Sequence, residues 1–148
     1  MSGVCWGIIG GCFTFACVMD YRTRTVYNFV WWISGAAALV LLFQRRPGPD
    51  PEQWIELAVF LGLQLFLFST MYGRADCYAF CVCGIAEAAA GMGLKGYLIH
   101  MLLSFFLLAL VQGMRRNIAE TGNLKYPVPF LPYITLAFWT LLWYHNIC

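Results

Sequence analysis

Two aspartates carry the acid–base chemistry that this sequence offers. Asp20 closes the apolar run Gly3 to Asp20, within "VMDYRTRTVYNFVWW", and Asp76 stands directly ahead of the run Cys77 to Leu94, within "TMYGRADCYAF". Two carboxyl groups that face one another in a medium of low dielectric resist double ionisation, so one keeps a proton while the other remains a base. Such a pair can draw a proton from water as the water attacks a peptide carbonyl, while the protonated partner donates to the developing oxyanion. That chemistry uses no metal and no other cofactor. Each acid also has a plainer reading. Asp20 followed by Arg22 and Arg24 can be a stop signal at a membrane boundary, and Asp76 can be an acid at a helix start, where the macrodipole favours it.

Whether the two acids can meet depends on the elements that carry them. Of the 148 residues, 61% are hydrophobic and only 11% charged, a balance that places the chain in lipid rather than water. No polar stretch is long enough for a separate soluble domain, so residues 1–148 read as one membrane-embedded domain. The first residues lack a basic start and a small-residue cleavage site, so the N-terminal run is read as a retained helix. A net charge of +2, with its cations scattered between apolar runs, gives no nucleic-acid surface. Seven cysteines make an odd set lying mostly inside apolar runs, and none forms a CxxC pair, so neither a disulfide framework nor a metal site is expected.

Six apolar runs follow one another: Gly3 to Asp20, Val26 to Phe43, Trp54 to Tyr72, Cys77 to Leu94, Gly96 to Gly113 and Val128 to Tyr144. At about 1.5 Å per residue each is long enough, with help from the interfaces, for a hydrocarbon core of about 30 Å. Backbone groups in lipid must be satisfied within the segment, so the expected fold is all-α, with six transmembrane helices. The breaks are polar and rich in turn residues, "QRRPGPDPEQ" and "MRRNIAETGNLKYP" among them. Arg22, Arg24, Arg74, Arg115, Arg116 and Lys125 lie in the first, third and fifth connections, against Arg45, Arg46 and Lys95 in the others. The positive-inside rule then makes the odd-numbered connections cytoplasmic and puts both termini outside the cell membrane. Asp20 and Asp76, far apart in sequence, share the cytoplasmic boundary.

The words around the acids add a resemblance. "DYRTRTVYN", Asp20 to Asn28, resembles the Asp-x-Arg-x-x-x-Ile-Pro-Asn segment of the type IV prepilin peptidases. "YGRAD", Tyr72 to Asp76, resembles the Gly-x-Gly-Asp motif of those intramembrane aspartyl proteases, and "PVPFLPYITLAF", Pro127 to Phe138, is similar to the segment that opens their last helix. The three occur in the family's order over nearly the whole chain. The resemblance implies a catalytic dyad of Asp20 and Asp76, no cofactor, and prepilin or pseudopilin substrates whose basic leader is cut at the cytoplasmic face. It makes Arg22, Asn28, Gly73, Arg74 and Pro129 candidates for binding substrate or supporting the dyad. With only Tyr21 to Thr25 between the first two runs, the chain is similar to the short, peptidase-only members. It departs from their pattern at Tyr27, Ala75, Tyr78 and Leu131, and Ala75 restricts the positive φ that a glycine would allow.

Two other residues qualify for chemistry. Glu87 lies three helical turns beyond Asp76 on the same face, about 16 Å deeper at ~1.5 Å per residue. His100, across a short turn near Leu94 to Gly96, is its candidate partner. An intramembrane acid with a histidine would suit a small proton-coupled transporter, and an inactive relative that binds a pilin-like helix without cutting it is the other rival. Arg22, Arg24 and Arg74 can equally anchor helix ends by snorkelling, and Trp31, Trp32, Trp54, Trp139 and Trp143 fit interfacial belts. The sequence carries no signal of oligomeric state.

Overall fold

The structure is a computed structural model, described here over residues 2–45, 50–71, 73–118 and 129–147. Arg46, Tyr72, Lys125 and Pro127 fall outside the described residues, as do the side chains of Arg115 and Arg116. The described chain is all-α, with helices α1 (Ser2–Thr23), α2 (Asn28–Gln44), α3 (Pro51–Gly62), α4 (Arg74–Ala89), α5 (Leu94–Ile118) and α6 (Leu131–Ile147). They cover the six apolar runs, with shifts at the ends that matter for the site. α1 continues one turn beyond Asp20. α4 begins at Arg74, so Asp76 lies in its first turn.

Each boundary has a local cause. α3 starts at Pro51, whose missing N–H and fixed φ suit a first helical position. Beyond Gly62 it tightens and loosens through a π-helical turn, Leu63–Leu67, and a 3-10 turn, Phe68–Thr70, with Gln64 turned inward and donating to the Met101 sulfur at 3.2 Å. α4 stops earlier than its apolar run. Gly91 adopts φ 93, its N–H bonds the Ala88 carbonyl at 3.0 Å, and the Met92 N–H bonds the Glu87 carbonyl at 2.9 Å. That is a Schellman ending, and it places the α4–α5 turn before Leu94 rather than after it. α1 ends at Arg24 in the same left-handed region, φ 58, without the glycine that makes such a cap inexpensive.

α4 is the central helix and packs on α2, α3, α5 and α6, while α1 lies against α2 and α6. Its composition allows this. Ala79, Cys83, Gly84, Ala86 and Ala88 are small and buried, so neighbouring backbones come close. A Cβ on Gly84 would stand 2.6 Å from the Phe60 ring. Around the bundle large apolar side chains face outward, Trp32, Phe66, Leu102 and Phe106 among them. Three helical stretches, Ser2–Thr23, Pro51–Thr70 and Leu94–Met114, are long and apolar enough to cross a membrane, and α2 is a shorter apolar helix.

One polar contact lies at the centre of the bundle. Glu87 of α4 and His100 of α5 are both 0% exposed, and Glu87 Oε1 lies 2.6 Å from His100 Nδ1. The opposite ring nitrogen, Nε2, lies 3.0 Å from the Ile134 carbonyl oxygen on α6, which can only accept, so Nε2 carries a hydrogen. Nδ1 is the nitrogen that faces the Glu87 carboxyl group. The Glu87–His100 contact expected from sequence is therefore present, and it extends to a third helix. Phe80 and Phe138 flank the imidazole ring. Removing one partner leaves the other buried without its bond. We expect Glu87→Leu or His100→Leu alone to lower stability by about 3 kcal/mol or more, and the double replacement to cost less than either. Thermal unfolding of the three proteins in one detergent measures that order.

Candidate active site

Asp20 and Asp76 come to the same end of the bundle, from the last turn of α1 and the first turn of α4. The two are close enough to interact as charges, although no hydrogen bond joins their carboxyl groups among the described residues. Each is held by backbone. The Asp20 carboxylate accepts the N–H of Leu131, the first residue of α6, so it caps the positive end of that helix. Its Oδ2 is buried and has no hydrogen-bond partner among the described residues. Asp76 turns back to accept the Gly73 N–H, the return half of a capping box whose first residue is Gly73 itself.

That arrangement explains the glycine at position 73. Its backbone is extended, φ −61 and ψ 148, so no left-handed conformation is involved. The constraint is space, because a Cβ there would lie 3.3 Å from Asp76 Oδ2. Ala75 is the second residue of the helix and Arg24 is the only described non-glycine residue with positive φ, so the restriction expected at Ala75 does not arise. The other candidates are less tightly placed. Arg22 and Arg74 are exposed and make no ion pair with either acid among the described residues. Arg24 is exposed too, but its charge interacts with Asp20. Asn28 is the exposed first residue of α2 and makes no bond to the Asp20 loop among the described residues. Pro129 is buried two positions ahead of α6.

The structure adds two members that sequence reasoning passed over. Leu131 acts through its N–H, which carries no side-chain signature; the only hint is "FLP", where Pro132 lacks an N–H and leaves Leu131 as the donor at the helix start. Cys17, one turn before Asp20, lies 3.2 Å from the Thr135 hydroxyl, one turn into α6. This contact holds α1 against α6 just behind the acid. Among the described residues no group of three His, Cys, Asp or Glu is arranged to hold a metal ion.

A groove of about 470 Å³ runs between α2, α3 and α4, lined by Asn28, Trp31, Trp32, Leu65, Tyr78 and Cys81 among others. Its α4 side, Tyr78, Cys81, Val82 and Ile85, lies on the face of that helix opposite Asp76. Trp31 is almost wholly buried, and its indole N–H has no partner among the described residues.

Asp76 lies ahead of the apolar run that starts at Cys77, and its carboxyl group is pushed up from 3.8 to about 7 by burial, then by the Asp20 charge, against the opposing Gly73 N–H. A raised carboxyl pKa stabilises the folded chain at low pH. The contribution is full below about pH 3.8 and is lost as pH rises toward 7. We expect Asp76→Asn to flatten the fall in thermal stability between those limits. At the neighbouring cap, Arg24→Gly should raise stability by roughly 1 kcal/mol, since glycine enters the left-handed region without the Cβ clash.

No known protein family, no curated protein and no solved structure matches this chain. The functional reading therefore stands on the site.

Proposed function

We propose that this chain is a six-span membrane aspartyl peptidase of the prepilin-peptidase kind, which cuts the basic leader from prepilin-like or pseudopilin substrates at the cytoplasmic face. The observation that carries the reading is the meeting of Asp20 and Asp76, delivered by separate helices to one partly buried place with a carboxyl oxygen left unpartnered. The arrangement of donors supports unequal roles. Asp20, bonded to the N-terminus of α6, is the better site for negative charge, and its Oδ2 has a lone pair available to a water. Asp76 is the better site for the proton.

In the proposed reaction Asp20 takes a proton from water as the water oxygen bonds to the scissile carbonyl carbon. Asp76 gives its proton to the carbonyl oxygen. Collapse of the tetrahedral intermediate breaks the C–N bond, returns that proton to Asp76, and the leaving amine takes the proton held by Asp20. The apolar groove between α2, α3 and α4 lies on the other face of α4, so in this reading the substrate's scissile segment must reach the acids around the end of that helix. Arg22 and Arg74 are exposed and pair with neither acid among the described residues, so in this reading they serve substrate backbone carbonyls rather than its basic side chains.

Co-expression with a pilin-like substrate tests this. The wild-type chain should shorten the substrate, while Asp20→Asn and Asp76→Asn, at equal membrane levels, should each lose cleavage by 1000-fold or more, on the order seen when a catalytic acid or base is removed. Cleavage should also fall as pH rises through about 7, as Asp76 loses its proton. Cleavage that survives in either variant sinks the dyad. A wild type that binds such helices without cutting them is the inactive relative. Dependence on Glu87, with both aspartates dispensable, points instead to a transporter.

A further inference from the structure

At the end of the bundle away from Asp20 and Asp76, a cavity of about 660 Å³ opens between α1, α2, α6 and the C-terminus of α4. Its lining is divided. Trp6, Trp139 and Leu142 form an apolar wall, and Arg45 and His145 bring nitrogen donors to the polar side, with no carboxylate among the described residues that line it. The guanidinium is fixed rather than free to wander. Its Nη1 donates to Gln53 Oε1 at 2.8 Å and to the Ala88 carbonyl at 2.9 Å, which also caps α4. A guanidinium has five donors in a rigid fork. Two are engaged in this way, and the Nε and Nη2 donors have no partner among the described residues.

We propose that this cavity is a binding site for an anionic amphiphile, with a phospholipid's phosphate taken by Arg45 and His145 and an acyl chain lying along Trp6, Trp139 and Leu142. The charge is complementary, since an immobilised cation and a histidine face a lining without acids. The shape is also complementary, because an inorganic anion would leave the tryptophan wall unfilled, whereas a lipid covers both halves. Trp143 and His145, exposed at the mouth, leave the way open from the surrounding bilayer. The site lies apart from the acids and does not depend on the peptidase reading.

The test uses the full chain in phosphatidylcholine vesicles, with lipids brominated on the acyl chain as contact quenchers of tryptophan fluorescence. Brominated phosphatidylglycerol should quench at a mole fraction roughly fivefold lower than brominated phosphatidylcholine, the advantage of about one buried-edge cation. Arg45→Gln and His145→Gln should each reduce that preference, and Arg45→Lys should keep part of it. His145 is exposed, so its replacement reports on the site even if loss of the Arg45 cap weakens the fold. Arg22→Gln and Arg74→Gln, at the other end, should leave the preference intact. Equal quenching by the two lipids overturns the proposal, as does a preference that survives both Arg45→Gln and His145→Gln or follows Arg22 and Arg74. Inorganic phosphate at millimolar concentration should not compete; if it abolishes the preference, the site takes a free phosphate and the lipid assignment fails.

Discussion

The buried contact between Glu87 and His100 is the constraint on which the geometry of the acids depends. It joins α4 to α5, and the other imidazole nitrogen joins α5 to the Ile134 carbonyl of α6. Ile134 is three residues into α6, so fixing its carbonyl fixes the Leu131 N–H less than a turn away. That N–H is the donor to Asp20. α4, held at Glu87, carries Asp76 eleven residues earlier, and the regular helix between them transmits the position. A contact buried at the centre of the bundle thus ties together the helices whose ends meet at the acids. Apolar packing alone would leave the register of α6 against α4 less defined, since smooth lipid-facing surfaces slide at little cost.

Charged side chains close helix termini at both ends of the bundle. Every helix leaves unsatisfied N–H or C=O groups at its termini. At one end a basic group, Arg45, serves the C-terminus of α4, and Glu56 accepts the Leu94 N–H at the start of α5 at 2.8 Å. At the other end acids serve helix N-termini: Asp20 for α6 and Asp76 for α4. Capping places those acids near one another without requiring an attractive contact between them. Their mutual repulsion is borne by the caps, which is why a pair that opposes its own ionisation can still be assembled.

Much of this was legible in the sequence. The apolar runs located all six helices, because segments that must satisfy their own backbone in lipid have little choice of structure. The alternating direction of successive helices put Asp20 and Asp76 at one end of the bundle, and depth along α4 drew attention to Glu87 and to His100 as its partner. What was not legible depends on backbone. The π turn after Gly62, the left-handed Arg24 and the Leu131 N–H have no side-chain signature at those positions. The end of α4 was missed for a related reason: "GMGL" is apolar enough to continue a span, and only the positive φ at Gly91 shows that the helix has stopped.

The same distinction separates three positions of the resemblance to the prepilin-peptidase pattern. Ala75 and Leu131 stand where no glycine conformation and no side-chain space is called for. Ala75 is an ordinary helical residue between the cap and the acid, and Leu131 contributes an N–H that any residue except proline would supply. Gly73 differs from both. Its missing side chain gives Asp76 room to fold back onto its own cap. A side chain is therefore tolerable at positions 75 and 131 and crowded at position 73.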